Sequence, residues 1–215
     1  MGNDRILWGV GTSRTIRAHW ALRELGLAYE PRAIQARTGE TKTAEYTAIN
    51  PRQKIPLLQD GDITLGESAA IIAYLARTYS TRERRLLPDT PASEAKWLEW
   101  CFFIVAELDS TSLYVMRRHG TIRGLAHIYG SAPEVVQQAA DYFRHQLTFV
   151  DAALRDGRSH LMGDQFTTAD ILLTTCLTWA KGYGVGVCES ALPYLERTTA
   201  RPAYVAAELA NTVPS

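Results

Sequence analysis

Long apolar runs and an excess of charge of either sign are both missing from this sequence. Its 23 basic and 23 acidic residues give a formal net charge of +0 over 215 residues. A chain without a basic excess is not expected to bind nucleic acid or an anionic membrane surface as its main role. No run approaches the ~20 apolar residues that a membrane-spanning helix needs, and the first ten residues carry no signal-peptide pattern. We therefore expect neither nucleic acid nor a membrane as a partner.

Cysteine is scarce and its spacing is uninformative. The three cysteines, Cys101, Cys176 and Cys188, form no CxxC pair and no zinc-type pattern. This distribution predicts no metal site and favours a reducing, cytoplasmic location. The sequence also lacks internal repeats and low-complexity tracts, and its length suits one large domain or two small ones.

The most informative part of what is present runs over residues 50–79. Pro56 lies in a short apolar run, where a proline is expected at the first residue or the edge of a strand. Asp60-Gly61 is a hairpin signal, and Ile63–Leu65 is long enough for the returning strand. Gly66–Ser68 then opens a helix with a periodic apolar face. The stretch therefore predicts a hairpin followed directly by a helix.

This arrangement suits the binding of an amino-acid-like ligand. Ser68 at a helix N-terminus can offer its hydroxyl and amide to a carboxylate, and Glu67 beside it can receive an ammonium group. A cis Ile55–Pro56 bond would turn the Ile55 N–H and C=O towards an extended peptide. The alternative is that Glu67 and Ser68 only cap a helix and that Pro56 only ends a turn. Both features at this spacing favour a binding site.

Ile-Pro, a hairpin and Glu-Ser-x-Ala-Ile together resemble the glutathione-site signature of the cytosolic glutathione S-transferases. The resemblance implies an α/β thioredoxin-like N-terminal domain followed by an all-α C-terminal domain. It also implies that the Ile55 backbone, next to Pro56, pairs with the cysteinyl part of glutathione. Glu67 and Ser68 would hold the γ-glutamyl end, and Gln53, with Lys54 beside it, would face the glycyl carboxylate.

The turn at Gly11-Thr12-Ser13 is the candidate for thiol activation. A hydroxyl donor and a helix N-terminus both favour the thiolate of glutathione, whose thiol pKa when free is ~8.5. In serine-type members of the family the donor lies fourteen residues before the glycine that ends the first helix. This count from Gly26 gives Thr12, with Ser13 as the second candidate. The alternative is that Thr12 or Ser13 only caps the helix.

Other residues around this turn are expected to be structural. No cysteine lies in the turn, so the sequence is similar to the serine/threonine-like, bacterial-type members rather than to the cysteine-type branch. Arg14 and Arg17 are expected as solvated surface residues, and His19 as a packing or surface residue.

The order of predicted elements divides the chain into two domains. Residues 1–80 read as β-α-β-α-β-β-α, residues 81–91 as a linker and residues 92–215 as helices. The first long helix is predicted from 92 to about 118 and the second from 133 to about 155. The final residues, 211–215, are expected to be loose.

The helical domain contains a second signature at Thr167–Asp170. Thr167 and Asp170 form a capping box, followed by a run that is apolar almost all round and therefore central. Asp170 is accordingly predicted to be structural. By resemblance, Phe103, Tyr114 and Met116 are candidates for the wall of an electrophile pocket, although such residues are more often core.

These observations predict a glutathione S-transferase that adds the glutathione thiolate to an electrophilic small molecule, with no metal. The resemblance implies a detoxifying, cytoplasmic homodimer. Two alternatives stay open: glutathione-dependent isomerisation or peroxide reduction at the same site, and a non-catalytic glutathione-binding or interaction protein.

Overall fold

The structure, a computed structural model, describes residues 5–121 and 124–214. In chain order its elements are β1 (Arg5–Trp8), α1 (Thr15–Glu24), β2 (Glu30–Arg32), a 3₁₀ turn (Glu40–Lys42), α2 (Ala44–Ile49), β3 (Leu57–Asp60), β4 (Ile63–Gly66), α3 (Ser68–Tyr79), α4 (Pro91–Phe103), a π-helical segment (Ile104–Leu113), α5 (Tyr114–His119), α6 (Ala126–Tyr129), α7 (Pro133–Leu154), α8 (Thr168–Gly182), α9 (Ala191–Thr199) and α10 (Pro202–Ala210). The chain divides into two compact units: Met1–Leu87 with Ala200–Ser215, and Pro88–Thr199.

The first unit is built on a four-stranded mixed sheet with the order β2-β1-β3-β4. β1 pairs parallel with β2 and antiparallel with β3, and β3 pairs antiparallel with β4 through the predicted Asp60-Gly61 hairpin. Alternation of strands and helices up to β2, followed by a hairpin and a helix, produces this mixed sheet. The predicted thioredoxin-like fold is confirmed.

Helix α1 lies at the centre of this unit, packed against both α3 and α10. Residues 15–22 of α1 are all buried, so the first two turns of the helix have no solvated face. Its sequence therefore carries only a weak 3.6-residue period, because a helix surrounded by protein needs no polar stripe.

Helix α10 belongs to the first unit rather than to the second. The Tyr204 ring packs edge-on against Trp20 of α1, with ring centroids 4.8 Å apart. The Arg201 guanidinium pairs with both carboxylate oxygens of Glu24 at 2.6 and 2.8 Å. The division of the chain thus differs from the predicted 92–215 domain, because sequence order does not reveal that the last helix returns to α1.

The second unit is helical throughout, and α8 is its buried centre. Twelve residues of α8 are buried, among them Leu172, Cys176 and Trp179. The predicted capping box at its N-terminus is present: the Thr167 N–H donates to Asp170 Oδ2 at 2.8 Å. The other Asp170 oxygen accepts from the Leu161 N–H at 2.8 Å and from the Tyr194 hydroxyl at 2.9 Å. Asp170 is therefore the structural residue that the sequence predicts.

The helix predicted from 92 to about 118 is continuous but not uniform. It begins at Pro91 as an α-helix, widens to π geometry over Ile104–Leu113 and returns to α-helix until His119. The short helix α6 has no counterpart in the prediction. Within residues 5–121 and 124–214, no helix is both long and apolar enough to cross a membrane.

Candidate active site

The register of the first unit brings three loops to one end of the sheet. β1 ends at Trp8, which lies opposite Leu57 at the start of β3, and Leu57 lies opposite Gly66 at the end of β4. The chain therefore leaves β1, enters β3 and leaves β4 at the same end. The thiol turn (Gly11–Ser13) comes after β1, the Ile55–Pro56 loop comes directly before β3, and α3 begins directly after β4. All three therefore lie at this end of the sheet.

The Ile55–Pro56 peptide bond is cis. The preceding carbonyl, that of Lys54, accepts hydrogen bonds from the Tyr46 hydroxyl at 2.6 Å and from Asn50 Nδ2 at 2.8 Å. No backbone hydrogen bond joins Ile55 to another residue that the structure describes. The loop is thus held from behind, while the Ile55 backbone groups keep their hydrogen-bonding capacity for a ligand.

Glu67 and Ser68 begin α3 in an unusual backbone conformation. Glu67 has a φ of 62°, a region that non-glycine residues adopt rarely and that often marks a functional site. Its carboxylate forms an ion pair with Arg52, and both side chains are largely exposed. Ser68 is buried, and its hydroxyl accepts from the Arg17 guanidinium at 3.2 Å. A carboxylate and a helix N-terminus therefore lie side by side, as the sequence predicts.

Gln53 and Lys54 differ in how they are engaged. Gln53 has a φ of 52°, and its amide Nε2 donates to Thr47 Oγ1 at 3.1 Å, so part of its side chain is committed to α2. The exposed Lys54 ammonium forms no hydrogen bond or ion pair with the described residues. Lys54 is consequently the group of the two that is available to a carboxylate ligand.

Thr12 is occupied within the thiol turn. Its Oγ1 accepts from the Arg14 and Thr15 amides at 3.3 and 3.0 Å, and it shares a hydrogen with Thr15 Oγ1 at 3.0 Å. Such bonds are those of a residue that caps a helix. The half-buried Ser13 hydroxyl, by contrast, has no hydrogen-bond partner among the described residues. The structure thus separates the two candidates: Thr12 holds the turn, and Ser13 keeps an available donor.

Two buried polar residues of α1 support these loops. His19 Nε2 lies 3.2 Å from the Gly9 carbonyl, and Nδ1 lies 2.8 Å from the Tyr29 hydroxyl. Burial lowers the pKa of His19 from 6.5 to about 4, so the ring is neutral, with Nε2 donating to the carbonyl. Arg17, expected at the surface, is only 1% exposed and donates to Ser68. The expectation of a solvated Arg17 is wrong because residues 15–22 of α1 are buried on every side, whereas His19 is one of the two things expected of it, a packing residue.

The chain beyond α10 also reaches the thiol turn. Asn211, expected to be loose, bonds to the backbone of Gly11 and Thr12 and to the side chain of Thr15. The same expectation for Ser215 lies outside the described residues. Nothing in the sequence near Asn211 signals this contact, because its partners lie about 200 positions earlier.

The three candidate pocket residues lie in the second unit. The Phe103 ring packs edge-on against Trp100 and Phe149, with centroids 5.8 and 5.1 Å away. Tyr114 is half-buried at the start of α5, and Met116 is 3% exposed. Met116 is therefore a packing residue, while Phe103 belongs to an aromatic cluster with the partly exposed Phe149.

Two further observations concern the Cys101 thiol and the clustering of possible metal ligands. Burial raises the pKa of the Cys101 thiol to about 12, so this thiol is not a nucleophile near neutral pH. No cluster of three or more histidine, cysteine or acidic residues suited to a metal ion occurs in the part of the chain that the structure describes.

Comparisons with known proteins point to one family. The family models described as "Glutathione S-transferase, N-terminal domain" and "Glutathione S-transferase, C-terminal domain" match residues 4–77 and 133–207. Glutathione S-transferase 3 of Zea mays is 34% identical over 208 residues, covering 92% of this chain and 90% of the relative. Glutathione S-transferase GstB of Escherichia coli strain K12 is 30% identical over 211 residues, covering 92% and 94%.

A solved structure extends the likeness to three dimensions. The theta class glutathione S-transferase of Xanthomonas axonopodis pv. citri, solved with glutathione bound, superposes with a TM-score of 0.78 at 26% identity, covering 94% of this chain and 95% of that one. Two matching domains, relatives of nearly the same length and a shared fold make this chain a member of the glutathione S-transferase family.

Proposed function

We propose that this transferase binds glutathione at the sheet end of its first unit and adds the glutathione thiolate to an electrophilic small molecule. The observation that carries the proposal is the meeting of three loops that suit the three parts of one tripeptide. They offer an unpaired peptide backbone at Ile55, a carboxylate beside a helix N-terminus at Glu67 and Ser68, and a hydroxyl turn before α1. Relatives bearing the name glutathione S-transferase support the same activity.

Each end of glutathione finds a complementary charge. The Glu67 carboxylate receives the γ-glutamyl ammonium, and the Ser68 hydroxyl and amide receive the neighbouring carboxylate. Arg17, which donates to Ser68 Oγ, adds positive charge beneath that carboxylate. The Ile55 N–H and C=O pair with the cysteinyl residue in the manner of an added strand. Lys54, with Gln53 beside it, faces the glycyl carboxylate.

The chemical step needs the thiolate of glutathione at neutral pH. The N-terminus of α1 supplies a partial positive charge, and a hydroxyl donor adds a hydrogen bond to the sulfur. Because Thr12 Oγ1 already serves Arg14 and Thr15, we assign the donor role to Ser13 and the capping role to Thr12. The thiolate then attacks the electrophile and forms the carbon–sulfur bond. In a substitution the leaving group departs with the bonding electron pair, and in an addition the π-electron pair moves onto the adjacent part of the electrophile, which takes up a proton.

The test compares Ser13→Ala with Thr12→Ala by the thiolate absorbance of bound glutathione against pH. The wild type is expected to lower the bound thiol pKa by about one unit or more, which corresponds to at least ~1.4 kcal/mol of preference for the thiolate. Ser13→Ala should return the pKa towards the free value, and Thr12→Ala should shift it less. The reverse order would assign the donor role to Thr12.

A second readout separates the competing functions. Product analysis distinguishes conjugation from isomerisation and from peroxide reduction, because only conjugation leaves a thioether. Glutathione bound with an unshifted thiol, and without turnover on a broad electrophile panel, would contradict the transferase mechanism and favour a binding or interaction role.

We further infer a detoxifying enzyme that works as a homodimer in a reducing cytoplasm. Three free cysteines support the reducing compartment. Large apolar side chains are exposed on α4 and α7, with Phe102 at 70% and Phe149 at 44%, and a second copy would cover such a patch. Sedimentation equilibrium tests the dimer, and a monomer at micromolar concentration would contradict it.

A further inference from the structure

Asn211, the residue that follows α10, is bound to the thiol turn by four short contacts. Its side-chain Oδ1 accepts from the Gly11 N–H at 3.1 Å and from the Thr15 hydroxyl at 2.6 Å. Its Nδ2 donates to the Thr12 carbonyl at 3.2 Å. Its own carbonyl also accepts from the Gly11 N–H, at 2.9 Å. One asparagine thus holds both ends of the Gly11–Thr12 segment.

The contacts require an amide in one orientation. Oδ1 accepts from the Gly11 N–H and the Thr15 hydroxyl, and Nδ2 donates to the Thr12 carbonyl, which also accepts from the Ile16 N–H at 3.3 Å. With acceptor and donor each engaged in this way, Oδ1 faces Gly11 and Nδ2 faces Thr12. Aspartate has the same shape but cannot donate, and it would place a negative charge against the Thr12 carbonyl. Asparagine therefore fits this position, whereas its isosteric acid does not.

The approach of the two segments is close as well as polar. A Cβ built on Gly11, whose φ is 80°, would lie 2.6 Å from Cγ2 of Val213. The backbone of Gly11 consequently has no room for a side chain beside residues 211–213. Gly11 and Val213 therefore lie in close contact in addition to the hydrogen bonds of Asn211.

Holding the Thr12 carbonyl also aims the next amide. In a trans peptide the C=O of one residue and the N–H of the next point in opposite directions across a rigid plane. Fixing the Thr12 carbonyl towards Asn211 therefore directs the Ser13 N–H away from Asn211. That amide makes no backbone hydrogen bond with another described residue, and the half-buried Ser13 hydroxyl has no described partner either.

Asn211 also fixes the direction of the hydroxyl hydrogens. Thr15 has one hydroxyl hydrogen, and its shortest acceptor is Asn211 Oδ1. With that hydrogen spent, Thr15 Oγ1 accepts from the Thr12 amide at 3.0 Å and from the Thr12 hydroxyl. The hydroxyl hydrogen of Thr12 is then directed to Thr15 Oγ1, so Thr12 cannot donate it to a ligand. The Ser13 hydroxyl is left as the donor of this turn.

We propose that Asn211 is a positioning residue for thiol activation. Through its hydrogen bonds to Gly11, Thr12 and Thr15, it orients the Ser13 amide and hydroxyl towards the glutathione sulfur. This inference rests on the proposed function. It assigns to Asn211 alone a part in the chemical step, exerted without contact between Asn211 and the substrate.

The test measures the bound thiol pKa and the steady-state constants of Asn211→Ala and Asn211→Asp. Asn211→Ala should raise the bound thiol pKa by about one unit, because the donors lose their fixed direction. Asn211→Asp should raise it further, since it adds a negative charge near the sulfur. Below the bound pKa, one unit means a roughly ten-fold lower kcat, whereas KM for glutathione should change less than about two-fold because Ile55, Glu67 and Ser68 are untouched.

Thr212→Ala is the matched control. Its hydroxyl donates to the Glu208 carbonyl at 3.1 Å within its own helix turn, so the variant should keep the wild-type thiol pKa and kcat. A purely structural role for Asn211 would lower the melting temperature of the Asn211 variants and leave their bound thiol pKa unchanged; this result would overturn the inference. If Asn211→Ala fails to fold, the isosteric Asn211→Asp carries the test.

The bound thiol pKa of the wild type distinguishes a failure of this inference from a failure of the proposed function. An unshifted thiol pKa in wild-type complexes would contradict the proposed function itself. A lowered pKa in the wild type that persists in both Asn211 variants would overturn only the role of Asn211.

Discussion

At the scale of single residues, the polar groups buried in α1 define the site as much as the groups that meet the ligand. Arg17 donates to the Ser68 hydroxyl from a position with almost no solvent access, and His19 donates to the Gly9 carbonyl. Buried polar groups are costly unless they are paired, and each of these is paired with a residue of a site loop. The hydrogen bonds therefore offset the free-energy cost of burying Arg17 and His19, and they also fix the positions of Ser68 and Gly9.

His19 makes stability depend on pH in a defined window. Its pKa is about 4 in the folded protein and 6.5 in the unfolded chain, so between these values only the unfolded chain takes up the proton. The contribution of His19 to the free energy of unfolding is fully present above pH 6.5. It is lost as the pH drops to 4, which lowers the free energy of unfolding by about 3 kcal/mol in total. Urea unfolding at a series of pH values measures this slope.

The control for this prediction is another histidine. His19→Gln, which offers a donor and an acceptor but does not titrate, should flatten the slope between pH 6.5 and 4. His127→Gln, at an exposed position on α6, should leave it as in the wild type. An unchanged slope in His19→Gln would show that other groups cause the acid sensitivity.

At the scale of elements, the site depends on how closely the β1–α1 loop approaches the Ile55–Pro56 loop. A Cβ built on Gly9 would lie 2.6 Å from Cβ of Ile55 and 3.0 Å from Cγ2 of Thr15. Gly9 also has a φ of 113°, which L side chains rarely adopt. The glycine therefore allows the β1–α1 loop to pass in close contact with the Ile55–Pro56 loop.

Gly9→Ala should therefore cost more than backbone strain alone. Gly39 has a similar φ of 100° but nothing within 4 Å of a built Cβ, so Gly39→Ala isolates the cost of strain, about 1 kcal/mol. Gly9→Ala adds overpacking against Ile55, and we expect a further loss of about 1–3 kcal/mol. Its KM for glutathione should rise because Ile55 is displaced. Urea midpoints give the difference, and equal costs for the two variants would contradict the close approach.

Some elements could be predicted from the sequence because their signals are local. The Asp60-Gly61 turn, the α3 start at Glu67-Ser68 and the Thr167–Asp170 box each lie within a few residues of the groups they organise. Arg17 could not be predicted, because a helix buried on all sides loses the period that distinguishes a buried face from a solvated one. The π geometry after Phe103 likewise has no signature in the sequence.

At the scale of the whole molecule, the first unit is made from two distant parts of the chain. Residues beyond Thr199 return to it: Arg201, directly before α10, pairs with Glu24, and Tyr204 of α10 packs on Trp20. These contacts bridge 177 positions in the Arg201–Glu24 pair. Local patterns cannot report such a pairing, so the division into residues 1–80 and 92–215 follows sequence order alone.

Arg201→Met should destabilise the first unit specifically. The variant leaves the Glu24 carboxylate, 10% exposed, without its guanidinium partner, at a cost of about 1–3 kcal/mol. Amide hydrogen exchange should therefore quicken in α1 more than in α8. Arg197→Met is the matched control, since Arg197 lies four residues earlier and bonds to the Arg158 and Ser159 carbonyls of the second unit. Equal acceleration in α1 and α8 of Arg201→Met would contradict the assignment of α10 to the first unit.

The return of α10 has a consequence for biosynthesis. The first of the two chain segments that form the first unit ends at Leu87, and Asn211 is translated 124 residues later. At ~5–20 residues per second the ribosome takes roughly 6–25 s to cover that distance. During this interval the nascent first unit lacks α10, which covers Trp20, and its thiol turn lacks the hydrogen bonds of Asn211. Chaperones would therefore meet an apolar surface on α1, and the hydrogen bonds of Asn211 to the thiol turn form only after the codon that follows α10 has been translated.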